Sequence, residues 1–397
     1  MLMNQSVILS INTVIFLIAL GLMVPIVTLF IECSAALLLN KPKTGDNSAY
    51  QPSIAILVPA HNEALGIGAT LKTLLPQLTE QDRLIVIADN CNDDTAAIAR
   101  QAGAIVIERQ DTERKGKGYA LDYGLKFLEA NPPEVVVTVD ADCIVHSGAI
   151  NRIASLAATS KCPVQSTYLM EHPANPKPKD AVSALAFKMK NLVRPTGLQQ
   201  LGQPCLLTGS GMAFPWSVIH QAPIASGNIV EDMQLGLDLA IAGNSPVFCP
   251  AANVTGRLPQ QQQVAKNQRK RWEHGHLQTL ITQVPRLIRV SVVQRRFELL
   301  VLALDLCVPP LSLLVTIWAI AMVGSLLTGA WIPSILFGIQ GLLVLISIIG
   351  AWFKFARDDI SGLQLISVPF YVLWKIPLYL TFLFKPQTNW VRTERDI

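Results

Sequence analysis

The stretch Val135-Val136-Val137-Thr138-Val139-Asp140-Ala141-Asp142 decides the fold. Its first five residues are continuously apolar or β-branched, which fits a strand buried on both faces. Two carboxylates follow at once, one residue apart, and period-two alternation aims both to the same side. Hard cations such as Mg²⁺ take oxygen ligands and commonly join one or two carboxylates to a diphosphate. At the end of a buried strand this Asp-x-Asp is a candidate cation site; in isolation it reads as a solvated turn.

On either side the pattern repeats. Apolar runs predict strands at Ile54 to Val58, Leu84 to Ala88 and Ala104 to Ile107, besides Val135 to Val139. Helices are expected near Ala64 to Leu78, Thr95 to Ala102, Gly118 to Glu129 and Gly148 to Thr159. Continuous apolar strands separated by helices indicate a parallel α/β sheet covered on both faces, and such sheets bind ligands at the carboxyl ends of their strands. The polar clusters fall there: His61-Asn62-Glu63, Asp89 to Thr95, and Asp140 to Cys143. A Pro and Lys linker at Pro173 to Lys179 leads to a helical stretch ending at Val193, and Glu231-Asp232 opens a helix through Ala242.

The chain of 397 residues is 51% hydrophobic and 15% charged, too apolar for an ordinary soluble protein. From Val7 to Leu39 only Glu32 carries charge, with Lys41 and Lys43 next, so an uncleaved anchor helix is expected with cytoplasmic residues after it. Leu299 to Leu327 and Trp331 to Phe353 are apolar enough to span. A third segment, Leu363 to Phe384, carries Pro369, Lys375 and Pro377 and either crosses or lies in the interface. A full crossing would put Lys385, Arg392 and Arg395 outside, against the positive-inside tendency. These limits divide the chain into an anchor over 1–43, a cytoplasmic catalytic domain over 44–265, a basic interfacial segment over 266–298 and a C-terminal transmembrane region over 299–397. The basic residues between Lys266 and Arg296 suit anionic headgroups, and no nucleic-acid motif is present. Seven cysteines without a C-x-x-C pair argue against a zinc site or disulfide framework. No repeat appears beyond the short run Gln260 to Gln263.

Other motifs carry two readings each. Gly116-Lys117-Gly118 opening a helix is an anion cradle or a surface turn. Asp93 or Asp94 suits a helix cap. Glu231-Asp232 supplies carboxylates for acid–base work, or acids for a helix dipole. Thr208-Gly209-Ser210-Gly211 offers small residues where a ligand approaches the backbone closely. Gln268, Arg271 and Trp272 spell Gln-x-x-Arg-Trp: an Arg neutralises an anion and a Trp face suits a sugar ring, while the same pair is a common membrane-interface anchor. For His274 and His276 a satisfied or exposed role is favoured over metal ligation.

Taken in this order from about Pro52 to Trp272, the motifs resemble the membrane-embedded family 2 glycosyltransferases, which include cellulose, chitin and hyaluronan synthases and ceramide glucosyltransferase. The resemblance implies a GT-A-like α/β domain that binds a nucleotide sugar, joined to α-helical transmembrane segments. It implies Asp142 as metal ligand with Asp140 as metal or ribose partner, the metal being Mg²⁺ or Mn²⁺. Pro59, Glu63 and Asp89 would face the nucleoside, Lys117 the diphosphate, and Gly209 and Ser210 the acceptor. Asp232 would be the base with Glu231 beside it, Arg271 would neutralise the leaving diphosphate, and Gln268 and Trp272 would complete the mouth of the site. The implied reaction is inverting transfer of a hexose or N-acetylhexosamine from a UDP-sugar, at the plasma (inner) membrane. A growing polysaccharide is the favoured acceptor, with a partner protein for export admitted, and a single sugar added to a membrane lipid headgroup is the alternative. A nucleotidyltransferase would leave Asp232 and Gln-x-x-Arg-Trp unexplained, and a non-catalytic scaffold would leave the intact carboxylates unexplained.

Overall fold

The structure, a computed structural model, describes residues 5–39, 50–171, 178–226, 230–257, 262–365 and 367–384. Lys41, Lys43, most of the Pro173 to Lys179 linker, the start of the Gln260 to Gln263 run, and Lys385, Arg392 and Arg395 lie outside the described residues.

Eight strands form one sheet: β1 (Ile54–Ala60), β2 (Arg83–Asp89), β3 (Ile105–Arg109), β4 (Val135–Thr138), β5 (Cys143–Val145), β6 (Val164–Met170), β7 (Met212–Pro215) and β8 (Val247–Gly256), in the order β3-β2-β1-β4-β7-β6-β8-β5. The first four are parallel neighbours, with Ala60 opposite Ala88 and Leu57 opposite Thr138. Alternation along β1 divides its side chains between two cores. Ile54, Ile56 and Val58 meet the helices Ile67–Leu74 and Ala149–Ser160, while Ala55 and Leu57 meet Lys117–Leu128 and Glu231–Ile241.

The parallel reading holds for β1 to β4, and β7, which extends them, runs antiparallel to β4 and β6, so the complete sheet is mixed. That reversal brings the loop ahead of β7 to the carboxyl end of β4, where Gly211 N–H donates to Thr138 O at 3.0 Å. Gly211 adopts φ 68°, and a Cβ there would fall 2.1 Å from Ser166 Oγ, so a side chain fits neither the backbone nor the space.

Among the described residues, two helices are long and apolar enough to cross a membrane: Ser10–Leu38, within the helix Gln5–Leu38, and Trp331–Phe355. The span expected from Leu299 to Leu327 is instead broken into Phe297–Cys307 and Leu311–Leu327, bent by 72°. The intervening Val308-Pro309-Pro310 explains the break, since proline cannot donate to a continuing helix. Beyond it, Val368–Phe384 packs its buried Lys375 against Glu273 in an ion pair. The helix Gln262–Gln294 runs straight across the boundary drawn at 265/266. Part of its basic character is paired within the protein, with Arg286 2.7 Å from Asp238 at the surface and Arg269 3.9 Å from Asp180. All seven cysteines are free.

The long N-terminal helix is tied to the sheet domain at Arg194, whose Nε donates to Glu32 at 2.6 Å and whose Nη2 bonds Asp305. All three side chains are buried, which leaves each charge dependent on the others. The helices meet so closely that a Cβ on Gly197 would lie 1.9 Å from the carbonyl oxygen of Glu32. Lys354 Nζ donates to Ala36 O at 2.8 Å and Leu37 O at 3.1 Å, satisfying carbonyls at the end of the first helix. Gly197→Ala is expected to cost about 1–3 kcal/mol through overpacking against backbone. The check is the thermal unfolding midpoint of the detergent-solubilised protein, and an unchanged midpoint would show that the helices do not pack this closely.

Candidate active site

The carboxyl ends of β1, β2 and β4 converge, and their loops are laced together. His61 Nδ1 lies 2.6 Å from Asp89 O, Asn92 N–H donates to Asn62 Oδ1 at 2.8 Å, and Glu63 N–H donates to Thr95 Oγ1 at 2.8 Å. Asn62 and Asn90 make the turns with φ of 54° and 52°, a conformation asparagine tolerates better than most residues. Of the two capping candidates it is Asp93 that works structurally, accepting from Ala64 N–H and Thr95 N–H, each at 3.1 Å.

Asp89 is buried, and its Oδ1 takes a 2.6 Å bond from Arg109 Nη1. The same guanidinium reaches Asp111 at 2.9 Å and Arg114 O at 2.7 Å. Arg109 escaped the sequence reading, which ended the third strand at Ile107. The strand runs two residues further and sets Arg109 directly opposite Asp89 in register.

Lys117 joins the end of β4 to the loop ahead of β7. Its ammonium lies 2.5 Å from Asp140 Oδ1 and donates to Gly209 O, also at 2.5 Å. Burial alone would push its pKa down, but Asp140, Glu231 and Asp232 outweigh burial and hold it above the ordinary lysine range. Asp140 is raised by burial, with Lys117 opposing the rise. Glu231 is pushed up to about 7 by burial and by the charge of Asp232. Gly209 bends at φ 105°, and a Cβ there would stand 3.2 Å from Asp232 Oδ2, so the loop passes directly over that carboxylate.

Asp140, Asp142 and Cys143 place ligand atoms within 4.8 Å of one another. Burial drives the Cys143 thiol well above its ordinary pKa, so it stays protonated. The effective donors are carboxylate oxygens, the set that suits a hard divalent cation.

One cavity of about 790 Å³ collects the carboxylates, the nucleoside-side loops and the Gln-x-x-Arg-Trp residues. Every sequence-predicted site residue except Ser210 lines it. Ser210 is fully buried beneath: its hydroxyl accepts from Asp140 N–H at 3.1 Å and donates to Cys143 Sγ at 3.3 Å. It positions Asp140 and does not contact the cavity, which corrects its expected place at the acceptor. Trp272 lines the far side, 6.0 Å from the Phe187 ring, which is in turn 6.3 Å from Tyr168. Beyond Trp272 the wall is continued by Leu29 of the first helix, by Pro309, Pro310 and Leu311 at the helix break, and by Tyr371. His274 and His276 are both buried; His274 Nε2 lies 3.2 Å from Leu378 O, and His276 reaches the cavity.

A strand-edge carboxylate pair on a mixed sheet, with further carboxylates and a lysine around one cavity, makes a GT-A-like fold. Residues 52–275 match the family described as "Glycosyltransferase like family 2", and the chain belongs to that family. Among curated relatives it is 36% identical over 111 residues to the probable glycosyltransferase YdaM of Bacillus subtilis, covering 26% of each chain. It is 34% identical over 123 residues to the 4,4'-diaponeurosporenoate glycosyltransferase of Staphylococcus aureus strain N315, covering 30% of this chain and 32% of the relative. The matches therefore span about a third or less of these relatives. Among solved structures, the mannosyltransferase PcManGT from Pyrobaculum calidifontis, in complex with GDP-Man and Mn²⁺, shares the fold. Its TM-score is 0.56 at 18% identity, over 92% of this chain and 99% of that one.

Ser210→Ala is expected to destabilise the protein by about 1–3 kcal/mol, because it strands the Asp140 amide. A lowered unfolding midpoint with normal expression checks this; no change would mean that water or a neighbour already serves the amide.

Proposed function

We propose that this glycosyltransferase moves a hexose or N-acetylhexosamine from a nucleoside-diphosphate sugar, UDP-linked by the sequence resemblance, onto a hydroxyl of an acceptor embedded in the membrane. The observation that carries this reading is the single cavity that joins the carboxylates to Leu29, Pro309, Pro310 and Leu311. A nucleotide has no use for such a wall, but the apolar body of a lipid acceptor does. The sequence leaned towards a growing polysaccharide. The apolar wall favours a lipid, and the Staphylococcus aureus relative is likewise named for a discrete molecule. Under this reading no export partner is required.

The protein would lie in the membrane through its apolar helices, with the sheet domain on the cytoplasmic face. Lys354 at the end of Trp331–Phe355 bonds the last turn of Gln5–Leu38, so both helices present these ends to the same side. That is the arrangement a positive-inside pair would adopt.

Pro59, Glu63 and Asp89 would hold the nucleoside, the last kept in place by Arg109. Asp142 and Asp140 would hold Mg²⁺ or Mn²⁺; the solved PcManGT complex contains Mn²⁺. Bound there, the cation supplies charge neutralisation to the diphosphate. Lys117 and Arg271 add positive charge on the protein's own account. Asp232, beneath the Gly209 turn, would take the acceptor proton as the hydroxyl attacks the anomeric carbon opposite the diphosphate, giving inversion. Gln268 and Trp272 would seat the acceptor, with the indole face against its sugar or apolar body.

Asp142→Ala is expected to abolish Mn²⁺-dependent UDP affinity, measured by titration calorimetry; unchanged affinity would remove Asp142 from the site. Asp232→Asn should keep that affinity and lose roughly 10²- to 10⁴-fold in turnover. Near-normal turnover would place the base elsewhere. Mass analysis of product from membrane-lipid extract with each UDP-sugar separates the acceptors: a monoglycosylated lipid supports the proposal, and a ladder of polymer lengths overturns it.

A further inference from the structure

Most cations on the cavity wall are already matched by a carboxylate of the protein. Lys117 is set against Asp140, Arg194 against Glu32 and Asp305, Arg269 against Asp180, and Lys375 against Glu273. Lys190 is different. It lines the same cavity, yet among the described residues it makes no hydrogen bond or ion pair. Burial is the largest influence on its ammonium and pushes its pKa down; Asp232, Asp305 and Glu273 are felt only through space, and Arg194 opposes the charge.

The backbone at Lys190 is also unusual. Met189–Val193 is a π-helical turn between the helices Pro178–Lys188 and Arg194–Gln200. Such a turn adds a residue to the helical circuit and rotates the facing of every later residue in the helix, a device concentrated at functional sites. Around Lys190 the cavity wall carries further buried polar atoms that lack a hydrogen-bond partner: Asn191 Oδ1, Gln268 Oε1 and His276 Nε2. Their side chains are 4%, 7% and 3% exposed, so solvent does little to satisfy them. His276 bonds the backbone of Leu306 and Val308 through its other nitrogen, which leaves Nε2 as a bare acceptor. Native proteins keep few buried polar atoms unsatisfied; these three are acceptors, so they fit hydroxyl donors of a ligand, while the unmatched ammonium beside them is the group that fits an anion.

We propose that Lys190 binds an anionic group on the acceptor, a carboxylate or a phosphate carried next to the hydroxyl that is glycosylated. This rests on the glycosyl-transfer reading above and narrows its acceptor to an anionic amphiphile. The anion pairs with Lys190, the hydroxyl points to Asp232, and the apolar body lies along Leu29, Phe187, Pro309 and Leu311. The hydroxyl oxygen bonds the anomeric carbon, the bond from that carbon to the diphosphate breaks, the nucleoside diphosphate leaves with the electron pair, and the hydroxyl proton passes to Asp232. Lys117 is already bonded to Asp140 and Gly209, and Lys115 on the same wall is exposed, so Lys190 is the half-buried lysine free to meet the acceptor.

The test compares matched acceptors in detergent micelles with UDP-glucose, UDP-galactose and UDP-N-acetylglucosamine. One pair is 3-hydroxytetradecanoate and its methyl ester, the other phosphatidylglycerol and diacylglycerol; the first reads a carboxylate, the second a phosphate. The wild type should favour the anionic member of at least one pair by roughly 10- to 100-fold in kcat/KM, as a desolvated charge-assisted bond implies. Lys190→Met should erase that preference through a raised acceptor KM, Lys190→Arg should retain part of it, and Mn²⁺-dependent UDP affinity should be the same in all three. UDP release by the wild type without preference for either anion overturns the proposal and leaves the transferase reading standing. A loss of UDP affinity in Lys190→Met also overturns it, by reassigning the lysine to the donor. No UDP release from any donor would overturn both readings. The wild-type comparison decides the question even if Lys190→Met fails to fold.

Discussion

The amine of Lys117 sits among carboxylates that would otherwise repel one another. Asp140, Glu231 and Asp232 all act on it, and Asp142 adds its charge to Asp140. Gathering so many acids in a half-buried cavity is unfavourable without a fixed positive charge, and the lysine supplies one. Its second bond, to Gly209 O, holds down the turn that passes over Asp232. One side chain at the start of the helix Lys117–Leu128 thus couples the end of β4 to the loop before β7 and to the helix that carries Glu231 and Asp232.

The same logic of paired charge organises the membrane side. The Glu32, Arg194 and Asp305 cluster ties the first apolar helix, the helix Arg194–Gln200 and the helix Phe297–Cys307 into one unit. Glycine at 197 permits the approach, and the prolines at 309 and 310 turn the chain away so that the break itself becomes cavity wall. A straight span through this region would have closed that wall. The carboxylates and the apolar helices therefore line one cavity.

Charge balance across the cavity explains how its two ends differ. One part collects carboxylates that suit a divalent cation and a lysine held protonated by them. The other part of the wall combines the apolar Leu29, Pro309, Pro310 and Leu311 with charges paired inside the protein, such as Lys375 with Glu273, and with the unmatched Lys190. Ser210 shows the opposite case, a polar residue of the acceptor loop that faces away from the cavity and fixes Asp140 from beneath.

Much of this was legible in the sequence. Continuous Val and Ile runs specify buried strands because both faces of a parallel strand are covered, and polar residues directly after them must lie at the ligand edge. This is why Asp89, Asp140 and Asp142 could be placed from local pattern, with Glu231 and Asp232 at the start of their helix. The tertiary structure alone decided the rest. The direction of β7 depends on pairing with β4 across more than seventy intervening residues, and no period reveals it. Arg109 gains its role from register with Asp89, and Lys190 from a π-helical turn whose cause lies in packing. The bend at Val308-Pro309-Pro310 was visible as prolines, but its placement against the active site required the Arg194 cluster. Local sequence determines which residues are apolar, charged or constrained; which distant charges meet, and which are left unmatched, is decided only when the whole chain packs.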